Sequence, residues 1–376
     1  MKIFVFIIFL VIALLHTPAF EMSGSIVYVF SLCSLFAVVF LVAVYKRKTK
    51  IKSDAVKLMV YALLPYAFAF LFSTVVHGFN ERACLTMIYW FVALLTALIS
   101  TSLVQERAVY YFWGGCVCAF VAHIVYCVAA FGRVSLDMLE LHEIAFALGV
   151  LVIFFFISDK RRYKKEIGIS VLFILLAYKR IELLALPVCF IVYCLTLRSE
   201  TEKMYRNFVV VLIAFMGYTH FVWNDGFKVL MEYFNIDSVG RSEIYSLVLE
   251  SLKGQDIYRG RGLGWTLTSL TNLYGNWRQY ADLHNDFLKY MVELGVFGGS
   301  FFWFLWLFLS PVLIVKQKKS ILFNRIYLVL IVYDAILFCT DNTIRYFLVN
   351  ISLYQTVFLN FNELGKRNAC ERIKMG

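Results

Sequence analysis

A small set of arginines and one histidine have the types and spacing that chemistry on a phosphorylated carbon would need. Arg180 follows Lys179 between two short apolar runs, Arg241 opens an amphipathic stretch, Arg259 and Arg261 flank Gly260, and His284 precedes a long apolar run. Arginine offers a fixed fork of donors that matches phosphate oxygens and stays charged when partly desolvated. Backbone amides in the glycine-rich turn Arg259-Gly260-Arg261-Gly262-Leu263-Gly264, or at a helix start, would add anion contacts. Histidine is the side chain best suited to accept a proton near neutral pH. These parts suit attack by a hydroxyl on a carbon bearing a diphosphate leaving group, with no metal and no cofactor. Each also has a plainer reading, since Arg-Gly-Arg-Gly is often an exposed turn and a histidine at a helix start is often a surface residue.

Other chemistries lack their residues. The chain has no Asp-x-Asp pair for a metal-bound nucleotide sugar and no GxxxxGK[ST] phosphate loop. The glycines at 260, 262 and 264 follow no strand, so they form no dinucleotide fingerprint. The nine cysteines lie mostly inside apolar runs and read as small packing residues rather than as a disulfide framework.

The elements that must position these residues are membrane helices. The 376 residues are 61% hydrophobic and 16% charged, with mean hydropathy +0.76, against roughly 25% charge in a soluble domain. Apolar runs predict spans near 3–20, 25–45, 55–76, 83–104, 108–131, 141–158, 167–178, 183–197, 207–223, 295–315, 324–340 and 346–362. The first could be a signal peptide, but 16–20 is a poor cleavage site, so a retained span is expected. The net charge of +11 sits largely in clusters between spans, such as Lys46 to Lys52 and Lys160 to Lys165, so it reports topology rather than a nucleic-acid partner.

Residues 167–197 pose the one real ambiguity, because 31 positions interrupted by Lys179, Arg180 and Glu182 are short for two crossings. Read as a hairpin, they put 23 Lys and Arg in inside segments against 5 in short outside loops; one long span makes the split 13 against 13. The hairpin wins by the positive-inside rule. The expected fold is therefore an all-α, polytopic transmembrane bundle of about twelve spans, a single integral membrane domain over 1–376 with both termini cytoplasmic. Lys179 and Arg180 would lie near the outer headgroup level, where buried charge is costly and suggests function.

The longest hydrophilic segment, 224–294, then forms one large outer loop between the ninth and tenth spans, with formal charge −2. Within it 241–253 reads as an amphipathic helix with Ile244, Leu247, Val248 and Leu252 on one side. A second helix is expected to restart near Asp282 as N-cap and to run through His284 and Glu293. His123, His220 and Asp334 read as packing residues in or beside spans, and His142 and Glu143 as the entry to the sixth. Glu182 would pair with a hairpin cation or orient His284, and Glu293 would pair with Lys289 one turn earlier.

The run His284-Asn285-Asp286-Phe287-Leu288 through Glu293-Leu294-Gly295-Val296-Phe297-Gly298, feeding into a span, resembles the HN-x-x-L…E-x-G-x-x-G signature of the O-antigen polymerase and ligase superfamily. Gly240-Arg241-Ser242-x-x-Tyr245 and Gly260-Arg261-Gly262-x-Gly264 are similar to that family's outer-loop motifs, and the order of spans matches its architecture. The resemblance implies glycan transfer from an undecaprenyl-diphosphate-linked oligosaccharide at the periplasmic face of a bacterial inner membrane. It implies membrane lipid as surroundings and a chain-length regulator as partner. By position it implies functional roles for Arg180, Arg241 and His284. The mechanism expected from these parts has His284 as catalytic base and Arg180, Arg241 and Arg261 on the diphosphate, with Arg259 secondary and Asn285, Glu293 and Glu182 in support. Lys179 stands where the family often has Ser or Thr, and would share the phosphate contact. The HND-x-L form leans toward a polymerase, with a ligase that joins glycan to lipid A core as the alternative and a lipid-linked oligosaccharide transporter as the remote one.

Overall fold

A computed structural model describes residues 2–18, 25–46, 53–197, 201–235, 241–252, 254, 256–266, 283–318 and 320–359. These residues are helices and short connections: α1 Lys2–Leu15, α2 Ser25–Tyr45, α3 Ser53–His77, α4 Glu81–Val104, α5 Arg107–Phe131, α6 His142–Asp159, α7 Lys164–Leu176, α8 Arg180–Thr196, α9 Thr201–Trp223, α10 Gly226–Tyr233, α11 Arg241–Ser251 and the single turn α12 Asp256–Arg259. The long α13 Asp286–Gln317, then α14 Ile321–Phe338 and α15 Phe347–Phe358, complete the order.

The chain is a helical membrane bundle. Seven described helices, α3, α4, α5, α6, α9 from Met204, α13 and α14, are long and apolar enough to cross a bilayer, whereas Lys2–Leu15, Phe30–Tyr45 and Phe347–Phe358 are shorter apolar stretches. The thirteen residues of α7 rise only ~20 Å at 1.5 Å per residue, against a hydrocarbon core of roughly 30 Å. Twelve full-length spans are therefore not what the described residues display.

Burial sorts helices that composition alone cannot distinguish. Almost every side chain of α6 and α14 is enclosed, so these two form the centre, while α5 and α9 keep exposed apolar faces. Several polar groups inside are paired, which offsets the cost of placing them in a membrane interior: the Gln355 amide donates to Ser100 Oγ at 3.0 Å, Trp113 to Ser170 at 2.9 Å and Trp306 to Tyr66 at 3.1 Å. Helix α1 packs so tightly on α5 that Gly115 has no room for a Cβ against the Phe9 backbone. The first apolar run is thus an integral part of the bundle.

Polar contacts gather the helix ends into two groups. At one end His16 meets Glu143 (3.6 Å), His77 meets the Arg259 carbonyl (3.1 Å), and Asp341 meets His142 and His284. At the other, Arg325 donates to the Leu197 carbonyl (2.7 Å) and Lys318 to the Leu359 carbonyl (2.9 Å). Helices α7 and α8 run from the second end to the first and back, turning at Ala177–Lys179, so the short hairpin is a real feature of the fold.

Inside segment 224–294, α11 buries Ile244, Tyr245 and Val248 but exposes Leu247, so the apolar face lies slightly to one side of that read from the pattern. Asp282 falls outside the described residues. The cap is Asn285: its side-chain oxygen accepts from Leu288 N at 3.0 Å, and the helix begins at Asp286 rather than through His284. Gly295 (φ 72°, ψ 174°) breaks α13 where the hydrophilic loop was expected to give way to the tenth span.

Candidate functional site

Each residue of the His-Asn-Asp run has a separate task. His284 has φ +48°, a left-handed conformation that costs a non-glycine residue about 1 kcal/mol or more. Its neighbours hold it there. The Tyr245 hydroxyl donates to the His284 carbonyl at 3.4 Å, and Asn285 caps α13 while its amide donates to Tyr218 Oη at 2.9 Å. Tyr218 in turn donates to the Cys339 carbonyl at 2.8 Å, tying α9 to the end of α14. Asp286 accepts from Ile344 N at 2.9 Å, which pins the α14–α15 connection beside the histidine. The imidazole is left about a third exposed, with a side-chain accessibility of 37%.

That connection supplies Asp341. Its Oδ1 accepts from Tyr346 Oη at 2.7 Å and Asn342 N at 2.8 Å and lies 3.5 Å from His284 Nδ1, while Oδ2 lies 3.6 Å from His142 Nδ1. Burial works to raise this carboxyl, but the facing imidazoles of His142 and His284 and the hydrogen bond from Tyr346 outweigh it and hold Asp341 well below the usual carboxylate range. A carboxylate against Nδ1 favours the tautomer with the proton there, leaving Nε2 of His284 as the acceptor.

His142 is fixed by a complementary argument. Lys179 Nζ lies 3.1 Å from its Nε2 and also donates to Glu140 at 2.5 Å. An ammonium has only protons to give, so Nε2 of His142 accepts and its Nδ1–H faces Asp341. Lys179, expected at phosphate, is instead buried and engaged on His142 and Glu140 as part of the support.

The arginines divide into two sets. Arg180 is exposed at the start of α8 with its guanidinium over the Tyr178 ring (5.5 Å), and Arg241 begins α11 one turn before Tyr245. Burial, against hydrogen bonding with Asn285 and the Arg241 charge, pushes the Tyr245 hydroxyl up to about 12, so it remains a donor to the His284 carbonyl. Arg345, half-buried, lies on the same connection as Asp341. Arg180, Arg241 and Arg345 have no carboxylate partner among the described residues.

Arg261, by contrast, pairs with Asp256 at 3.0 Å and donates to the Ser251 carbonyl at 2.6 Å. The glycine-rich turn is a structural clamp. Gly295 interrupts α13 and frees the carbonyls of the preceding turn; Arg261 N donates to Val292 O at 3.1 Å and Gly262 N to Glu293 O at 2.8 Å. Gly260 and Gly295 face each other so closely that a Cβ on either would strike the other's backbone. Those two amides are therefore occupied, and an anion contact from them is not what the fold provides. Arg259 keeps an exposed side chain, while its carbonyl takes the His77 contact.

Glu293 accepts from Thr266 N (3.1 Å) and Thr266 Oγ1 (2.5 Å), fastening the loop to α13 rather than acting on Lys289. Glu182 accepts from Tyr333 Oη at 3.0 Å, with Gly149 leaving the space for that pair, and so does not orient His284. His123 packs against the Met138 carbonyl at 2.7 Å, as a structural histidine would.

No family model, curated protein or solved structure matches this chain.

Sequence reasoning had no role for Asp341 or Tyr346 and took His142 only as a helix entry. A usable signal existed in the polar run Thr340-Asp341-Asn342-Thr343 between two apolar segments, which alternation of spans puts at the same end as 224–294.

Proposed function

We propose that this chain is a glycan polymerase: an inner-membrane glycosyltransferase of the O-antigen polymerase type, acting at the periplasmic face on undecaprenyl-diphosphate-linked oligosaccharide. The observation that carries the reading is the His284–Asp341 pair, which leaves Nε2 of a partly exposed imidazole as acceptor at the end where Arg180, Arg241 and Arg345 have no carboxylate partner among the described residues.

In this reading the acceptor is a sugar hydroxyl of another lipid-linked repeat unit. Nε2 of His284 takes the hydroxyl proton as the oxygen attacks the anomeric carbon of the donor. The new C–O bond forms as the bond from that carbon to the diphosphate oxygen breaks. The lipid diphosphate leaves with the bonding electron pair, and Arg180 and Arg241 neutralise its charge, with Arg345 a third cation at this end. Asp341 stabilises the imidazolium that results, and the clamp at Gly260 and Gly295 holds the loop arginine Arg241 and the histidine helix in one unit. Both termini and the Lys/Arg-rich end would then be cytoplasmic.

Purified protein given one synthetic undecaprenyl-diphosphate-linked repeat unit should yield a ladder of longer lipid-linked products. Transfer only to lipid A core would identify a ligase instead, and movement of the substrate across vesicles without any new glycosidic bond would identify a transporter.

A further inference from the structure

The end of the bundle opposite His284 holds a separate cavity of about 640 Å³, between the start of α1, the α4–α5 turn and the α6–α7 turn. Its lining includes Lys2, Arg107 and Arg162 against the single carboxylate of Glu106, with Tyr110 and Tyr163 among the walls. None of the three cations has a carboxylate partner among the described residues. Asp159, the nearest acid in sequence to Arg162, is turned to the backbone amides of Arg161 and Arg162 at 3.2 Å. The Arg162 guanidinium lies over the Tyr163 ring at 5.1 Å, and both residues line the cavity. From Lys2 the exposed side chains Ile3 and Ile7 continue as apolar surface along α1, and Tyr110 is exposed on the adjoining α5.

Cations and tyrosines at a helix-end cavity, continuous with apolar surface along the bundle, match both parts of a phospholipid. We propose that this cavity binds the headgroup of an anionic phospholipid, with its phosphate between Arg107, Arg162 and Lys2 and its acyl chains along the α1–α5 seam. The topology proposed above puts it in the cytoplasmic leaflet. The site does not depend on the glycosyl-transfer reading, because no residue is shared.

The test is native mass spectrometry of the full chain, delipidated in neutral detergent and titrated with dioleoyl phosphatidylglycerol, dioleoyl phosphatidylcholine or inorganic phosphate. One phosphatidylglycerol should be retained in preference to phosphatidylcholine. Arg107→Gln with Arg162→Gln should weaken retention roughly tenfold or more. Lys164→Gln with Lys165→Gln, the same charge change just outside the lining, should leave it unchanged. If the arginine pair fails to fold, Lys2→Gln alone should still weaken retention about threefold. Equal retention of the two lipids, equal loss in both double variants, or displacement of the lipid by millimolar phosphate would each overturn the proposal.

Discussion

Oδ1 of Asp341 lies 3.5 Å from Nδ1 of His284, although the whole of α13 and α14 separates the two residues along the chain. The contact exists because Asp286 holds Ile344 N, and because the Asn350 amide donates to the carbonyls of Ile344 (3.0 Å) and Tyr346 (2.8 Å). An imidazole positioned this way differs from a surface histidine in tautomer and aim.

Asp341→Asn should therefore lower transfer roughly 10²-fold while donor affinity stays near wild type, because an amide no longer selects the Nδ1–H tautomer. Turnover of the synthetic donor measures this, and a wild-type rate would remove Asp341 from the mechanism. The carboxyl is held below its ordinary value, so it stabilises the fold above its unfolded value of about 4, and that stability is lost only as pH falls through the lower folded value. The difference in Tm between wild type and Asp341→Asn should accordingly persist from pH 7 down to pH 5.

Gly295→Ala should destabilise the loop clamp by about 3 kcal/mol, since φ 72° with ψ 174° is a region for glycine alone and the added Cβ meets the Tyr258 carbonyl. Limited proteolysis within 224–294 should accelerate markedly. Unchanged protection would mean that the break in α13 is not held by the glycine-rich turn.

Arginine roles separate by conservative substitution. Arg241→Lys keeps the charge but loses the planar fork, and should cut kcat/KM about tenfold. Arg261→Lys should instead loosen the loop, read as a lower Tm, with little change in the chemical step. The reverse outcome would return the phosphate role to Arg261.

Lys179→Gln removes the group that fixes the His142 tautomer and leaves Glu140 without its ion-pair partner. A fall in kcat of about tenfold with unchanged KM is expected for a positioning residue. A raised KM with unchanged kcat would show that Lys179 touches the donor after all.

Much of the helical frame was legible because apolar runs and charge clusters report it directly, down to the hairpin turn at Lys179, whereas the break at Gly295 was not, since the pattern read as a helix running on toward the next span. The helix over 241–251 was legible too, although Tyr245 rather than Leu247 fills its buried face. Local pattern could not reveal what the glycine-rich turn packs against: the clamp depends on two glycines, 260 and 295, meeting across the loop. Nor could it assign Asp341, whose partners come from α6, the turn before α13 and its own connection. Counting spans could have placed it at the right end, but only packing chose His284 and His142 as its neighbours.

The most direct test is single-turnover transfer by purified His284→Ala on the synthetic lipid-diphosphate donor. Bond formation should fall about 10²–10⁴-fold while the variant still binds donor and keeps the wild-type Tm within a few degrees. Full activity in that variant would contradict the assignment of His284 as the base.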